Sequence, residues 1–266
     1  MYVLARFIKT DNNEILGNII RYNNSQNKTT ASDFRSGDTH QKRLVNEFKV
    51  IPEAEYEGGR RGGAIDKIIK KPNLIPSYTV GQALYAFHEN PIVAYNKKMK
   101  IWEDDSFYSD IFNEQTNARH IVFVYSLLRA IEQTKEEFVQ KGKNSLEPLT
   151  ESDESVIAYF RQRGSIYLYL HAISKCLEIF IKKAITNKFK CRFKGNVTPK
   201  AATNYWSPII NATLPFTTNL NSAISDGLKN KSDVENAVKM FKQLVGATAQ
   251  ANKNVFEIFA KEVEFA

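Results

Sequence analysis

From Pro76 onward the apolar positions of this chain recur at helical spacing, whereas before it they come in short runs between polar stretches. Near the N-terminus Val3-Leu4-Ala5-Arg6-Phe7-Ile8 is short and partly alternating, which predicts a strand. Asp11 can cap a following helix on which Ile15, Ile19 and Tyr22 share a face, with Glu14 three residues after the cap. Asn23 and Asn24 suit the end of that helix, because asparagine tolerates left-handed backbone better than other non-glycine residues. Further on, Asp38-Thr39-His40-Gln41 reads as a capping box, with Asp38 accepting backbone N–H groups and Gln41 reaching back. Leu44, Val45 and Phe48 then form the expected buried face of a short helix.

The rest of the chain predicts helices. Pro91 interrupts or starts one that contains Val93, Ala94 and Tyr95. Between Thr116 and Gln140 a long helix is expected, because Ile121, Val124, Tyr125, Leu128 and Ile131 trace one apolar face. The polar segment Lys141 to Thr150, with Gly142 and Pro148, reads as a loop. A second helical region runs from Glu151 to Phe189 with a break expected at Gly164, and its centre, Ile166-Tyr167-Leu168-Tyr169-Leu170, is apolar on all sides and so deeply buried. Thr198-Pro199 suits a helix start, Thr as N-cap and Pro at the first helical position. At the C-terminus Val234, Val238, Phe241, Val245, Thr248, Asn252, Val255 and Phe259 alternate steps of four and three, a heptad-like seam on one helix. The expected fold is mainly α, a helical bundle with a small N-terminal strand–helix element. Its expected regions are residues 1–57, 58–150 and 151–266.

Composition adds bounds. The chain has 266 residues, 42% hydrophobic and 25% charged, which fits a globular protein rather than a disordered or fibrous one. The first residues lack a signal peptide's apolar region, and no run of about 18 apolar residues occurs, so a cytoplasmic protein without a membrane span is expected. Cys176 and Cys191, fifteen positions apart, read as reduced thiols rather than a disulfide. His40, His88, His120 and His171 are scattered and read as structural or surface residues, so no metal site and no cofactor is expected.

The candidate chemistry lies in three places. Arg21 to Asp38 is the most polar patterned stretch, rich in amides and hydroxyls. Asp33 and Asp38 are accounted for by capping, which leaves Asn23, Asn24, Gln26, Asn27 and Arg35 as the residues expected on a ligand-facing surface. Tyr56-Glu57-Gly58-Gly59-Arg60-Arg61-Gly62-Gly63 permits close backbone approach, and its paired Arg60 and Arg61 offer anion contacts beside that surface. It lacks the order of a P-loop, and a plain surface loop is the alternative. Glu103-Asp104-Asp105 reads as a capping turn before Phe107 and Tyr108 rather than a cation site.

The net charge of +8 is uneven. Between Ile179 and Ser225 there is no carboxylate, while Lys182, Lys183, Lys188, Lys190, Arg192, Lys194 and Lys200 are all cationic. The first six of these are the candidate nucleic-acid contacts, with a merely solvated basic face as the alternative. Phe189, Phe193, Tyr205 and Trp206 interleave with them and could stack single-stranded bases or simply pack the core. No nucleophile elbow, Walker motif or HExxH occurs, so the residues favour a binding or interaction protein and identify no enzyme.

Several segments in order resemble the AIPR family, the abortive-infection phage-resistance proteins. They are Ile20-Arg21-Tyr22-Asn23-Asn24-Ser25-Gln26-Asn27, Asp33-Phe34-Arg35-Ser36, Gln41-Lys42-Arg43-Leu44, Tyr56 through Gly62, Gln82-Ala83-Leu84, Pro91-Ile92-Val93-Ala94 and Tyr108-Ser109-Asp110-Ile111-Phe112. The resemblance covers roughly the first half of the chain. It implies a bacterial antiviral defence protein of a kind encoded beside DNA-modification and DNA-processing components, and it carries no catalytic mechanism. Family members have an Asn-Gly-Gln-Thr-like motif before the strand that opens here, so the resemblance implies a C-terminal half, with a separate N-terminal half or another defence subunit as partner. Three functions stay open: a module that binds nucleic acid or a partner; a metal-dependent nuclease or hydrolase using Asp33, Asp38 and Arg35; and a scaffold that forms a homodimer through the Val234–Phe259 seam.

Overall fold

The computed structural model describes residues 9–12, 15, 35–58, 73–144 and 149–265. The expected strand at 3–8, the helix built on Ile19 and Tyr22, Asp33, and the site candidates Asn23, Asn24, Gln26, Asn27, Arg60 and Arg61 lie outside the described residues.

Helix α1 (Thr39–Glu47) begins at Asp38, whose carboxylate accepts the His40 N–H at 2.8 Å. The other half of the expected capping box is absent, because the Gln41 side chain is buried and bonds two tyrosines instead. Leu44 and Phe48 are buried as expected, while Val45 is 39% exposed. Two short strands, β1 (Glu55–Glu57) and β2 (Leu74–Pro76), pair in parallel and lead into α2 (Ser77–His88). Asn90 caps α3 (Pro91–Asn96), which starts at Pro91 because proline there loses no needed N–H. After α4 (Lys100–Glu103), Asp104 caps α5 (Asp105–Ile111), as the acidic triplet predicted.

The long helix α6 (Ala118–Asn144) is the axis of the fold. Its N-terminal turn is capped from a distance: Glu47 on α1 accepts the Ala118 N–H at 2.9 Å, where a carboxylate complements the helix dipole. The helix continues through Lys141 and Gly142, so the expected loop starts later than the sequence suggested. Then come α7 (Glu151–Arg161), a left-handed turn at Gly164, α8 (Ser165–Lys175) and α9 (Leu177–Ile181). Strand β3 (Cys191–Phe193) pairs antiparallel with β4 (Val263–Phe265), joining the basic segment to the C-terminus.

Helix α10 (Pro199–Thr213) starts on Thr198 as predicted, and it packs along α6. Residues 214–224 turn through a 3₁₀ segment and the short α11 (Asn221–Ile224). The heptad-like seam is split between α12 (Lys231–Ala247) and α13 (Lys253–Glu262). The break falls at its polar members: Thr248 Oγ1 donates back to Leu244 O and Asn252 Nδ2 to Thr248 O, satisfying the carbonyls of the ending helix. Val234, Val238, Phe241, Val245 and Phe259 are buried against the chain's own core, so the seam is an internal packing surface. The fold is mainly α with a small strand–helix element. Helices α2, α7, α8 and α10 and strand β3 all pack on α6. Among the described residues no helix is long and apolar enough to cross a membrane.

Candidate functional site

Of the ligand-facing candidates, Arg35 is the one that the structure describes, and it is an anchor. Its Nε donates to Trp102 O at 2.9 Å, its Nη2 to Asp105 Oδ1 at 2.5 Å, and its guanidinium carbon lies 4.4 Å from the Tyr108 ring centroid. Its side chain is 15% exposed, so little of the cation faces solvent. Tyr108 continues the network by donating to Asp38 Oδ1 at 2.9 Å and accepting from Gln41 Nε2 at 3.1 Å, while Tyr56 donates to Gln41 Oε1 at 2.8 Å. Burial, then the Asp38 charge, push the Tyr108 hydroxyl far above its ordinary range, so it stays a donor. Asp38 Oδ1 thus accepts both a backbone N–H and a phenol, the first of which is the capping bond expected of it.

This network ties two segments to one patch of core. The chain following the polar stretch is held at Arg35 and Asp38; the chain entering the glycine–arginine segment is held at Tyr56. Gly58 lies so close to α1 that a Cβ there would come within 2.9 Å of Val45 Cγ2. The close approach that its glycines permit is used at this position.

The six basic candidates divide by environment. Lys182 pairs with Glu257 at 3.0 Å, and Lys183 is exposed. Lys188 points inward: its Nζ is 3.2 Å from Ser174 Oγ and 3.5 Å from Phe87 O, and burial, followed by the Lys175 charge, brings it down to about 8. It is therefore no surface contact. Lys190 and Lys194 are exposed, Arg192 is half-buried, and the intervening Cys191 and Phe193 are buried. Strand alternation accounts for the inward Cys191 and Phe193 and the outward Arg192, while Lys190 ends the 3₁₀ turn before the strand and Lys194 follows it. Arg192 Nε donates to Glu264 Oε1 at 3.0 Å, and Arg119 shares that oxygen at 2.5 Å while also donating to Phe193 O at 2.7 Å. Lys200, in the first turn of α10, is exposed.

The aromatic residues of this region belong to the core. Trp206 is fully buried, donates Nε1–H to Phe123 O at 2.9 Å and packs edge-on against Phe123 and Phe193. Phe193 is buried and Tyr205 packs against it. Phe189 stacks on the His88 ring at 3.8 Å. The stacking platform is thus replaced by an aromatic belt that seats β3 on α6.

A group that the sequence did not bring together lies beneath that strand. His88 Nε2 and His120 Nε2 are 2.8 Å apart, and His120 Nδ1 lies 2.8 Å from Cys191 O. Since a carbonyl only accepts, His120 carries its proton on Nδ1 and His88 donates from Nε2. Burial leads in pushing both imidazoles down, His120 to about 4, so both are neutral at pH 7. Separated by 32 positions, they share no spacing that a sequence reading could use. Cys176 and Cys191 are free and buried. Among the described residues no three His, Cys, Asp or Glu converge as a metal-ligand set.

Comparison with known proteins agrees with the resemblance and extends it. The family model described as AIPR protein matches residues 1–263. The match takes in essentially the whole chain, where the resemblance read from the sequence covered roughly its first half. No curated protein and no solved structure matches. The chain belongs to the AIPR family, the abortive-infection phage-resistance proteins.

Proposed function

We propose that this phage-defence-related chain is a binding module for nucleic-acid backbones, using the outer face of β3 and the lysines around it. The observation that carries the reading is the burial pattern of residues 190–194: Cys191 and Phe193 of β3 are buried, while Lys190 and Lys194, which flank the strand, are exposed and Arg192 is half-buried, within a segment that has no carboxylate of its own from Ile179 to Ser225. Lys183 and Lys200 are exposed lysines of the same carboxylate-free segment. Lys200 occupies a helix N-terminal turn, where the dipole disfavours a cation, so its charge is not explained by the stability of α10. Contacts of this kind are to phosphates, which gives binding that is insensitive to base sequence and strongly dependent on salt.

The test is a charge-removing variant, Lys183→Gln, Lys190→Gln, Lys194→Gln and Lys200→Gln together, compared with Lys97→Gln, Lys98→Gln and Lys100→Gln, exposed lysines of another segment. The first set is expected to weaken binding to random-sequence duplex and single-stranded DNA by about 100-fold or more at low salt, and the second to leave it within about threefold. Equal effects of the two sets would overturn the assignment of the face.

A further inference from the structure

The segment that carries the proposed basic face is fastened to the helices from inside, and the fastening is unusual in what it lacks. Behind β3 stand two imidazoles, an inward lysine and a backbone carbonyl, and among the described residues no carboxylate is in hydrogen-bond contact with either ring. His88 is the last residue of α2, and His120 sits in the first turn of α6, so the pair spans two elements. From there it reaches the basic segment twice: His120 Nδ1–H donates to Cys191 O, and the His88 ring stacks on Phe189 with the two planes 13° apart.

We infer that the His88–His120 pair is a proton-operated latch: neutral, it fastens β3 and the 3₁₀ turn before it (Lys188–Lys190) to the core, and protonated, it lets them go. One proton lies between the two Nε2 atoms, and the arrangement works because His120 Nε2 keeps its lone pair. A proton added to His88 makes a buried cation. One added to His120 Nε2 puts two N–H groups head to head across 2.8 Å and removes the acceptor on which the contact depends.

The surroundings favour release over accommodation. Lys188 comes from the 3₁₀ turn, Lys175 and His171 from α8, and Lys242 from α12; Glu89 at the end of α2 is the carboxylate whose charge bears on Lys175 and Lys188. A new positive charge on His88 meets Lys188 and Lys175 in a site where burial already opposes it. Leaving the core restores water to all of them. Glu264 ties β4 to Arg119 and Arg192: burial raises its carboxyl, and the hydrogen bonds and charges of the two arginines outweigh that and hold it below its ordinary value. His171 donates from Nδ1 to Ala86 O at 2.6 Å and joins α8 to α2, so its protonation loosens the core itself rather than the strand.

This inference concerns the segment and does not depend on the binding proposal; it is read with no nucleic acid present. The chain carries its own reporters, since Cys191 lies in β3 and Cys176 at the α8–α9 junction, both fully buried. The experiment follows labelling of the two thiols by a dithiodipyridine, which reacts with thiols in acid, with peptide mass spectrometry to assign each. Both are expected to be protected at neutral pH, and at about pH 5 Cys191 is expected to label at least about tenfold faster than Cys176. Labelling of both with one midpoint would mean global unfolding and would overturn the latch.

Two variants sharpen this. His88→Gln and His120→Asn keep a donor without a titrating ring, and each is expected to move the Cys191 midpoint toward that of Cys176. An unchanged Cys191 profile in a variant that is folded by circular dichroism would also overturn it. If neither variant folds, the two-thiol comparison in the unaltered chain decides.

Discussion

Tyr108 Oη donates to Asp38 Oδ1 at 2.9 Å, joining α5 to the cap of α1 across 70 residues. The same hydroxyl accepts from Gln41, which in turn accepts from Tyr56, so one phenol serves two partners directly and a third through Gln41. Tyr108→Phe removes the hydroxyl and leaves the buried Gln41 amide without an acceptor. Leaving a buried polar group unsatisfied costs about 1–3 kcal/mol, and urea denaturation is expected to show a loss of that size with an unchanged m-value.

Gly81 is required by packing. A Cβ at this position in α2 would come 2.7 Å from Cζ2 of Trp102, a ring that is fully buried and packed against Tyr78, Tyr108 and Phe112. Alanine in place of glycine gains about 1 kcal/mol of helix propensity, whereas overpacking of a fixed ring costs about 1–3 kcal/mol or more. The strain wins because the ring has nowhere to move. Gly81→Ala is expected to lower the thermal midpoint and quench or shift Trp102 fluorescence; an unchanged midpoint would contradict this packing.

The buried histidines set the acid limb of stability. Burial is the main cause that pushes His120 down to about 4 and His171 down to about 3. The unfolded chain, with ordinary imidazoles near about 6.5, therefore takes up protons first as pH falls. Their contribution is fully present above that value and is lost progressively toward about pH 4, by a few kcal/mol per residue. Lys188, brought down to about 8, acts with the same sign at alkaline pH, so its site gains stability as pH rises above 8. Urea midpoints between about pH 4 and 10 check both limbs, and a flat acid limb would contradict the buried neutral imidazoles.

Glu264 restrains the basic face. Its Oε1 accepts from both Arg119 and Arg192, so Glu264→Gln removes one negative charge where two guanidiniums meet. The carboxylate is 34% exposed, and the stability cost is expected to be about 1 kcal/mol or less. DNA binding is expected to tighten severalfold at low salt and to converge with the unaltered chain at high salt, measured by fluorescence anisotropy.

What was legible in the sequence is what is decided locally. Asp38, Asp104 and Thr198 cap helices because a short acceptor before an apolar period serves the first free N–H groups, and Pro91 and Gly164 mark a start and a break for backbone reasons. The break at Thr248–Asn252 was marked by polar residues in the seam, but periodicity alone continued across it. What stayed hidden depends on distant partners. Gln41 fits a capping box, yet two tyrosine hydroxyls 15 and 67 residues away claim its amide. Lys188 shares a basic run with Lys190 and Lys194, yet the turn before β3 sends it inward. His88 and His120, and Arg119 with Glu264 145 residues on, meet because α6 brings them together.

The salt dependence of DNA binding by the unaltered chain tests the central claim most directly. Measured as log Kd against log salt on a random-sequence duplex, a face of Lys183, Lys190, Lys194 and Lys200 with Arg192 beside them predicts release of about three to four counterions, with the same affinity for unrelated sequences. Binding that is undetectable at low salt, or that is indifferent to salt, would contradict it.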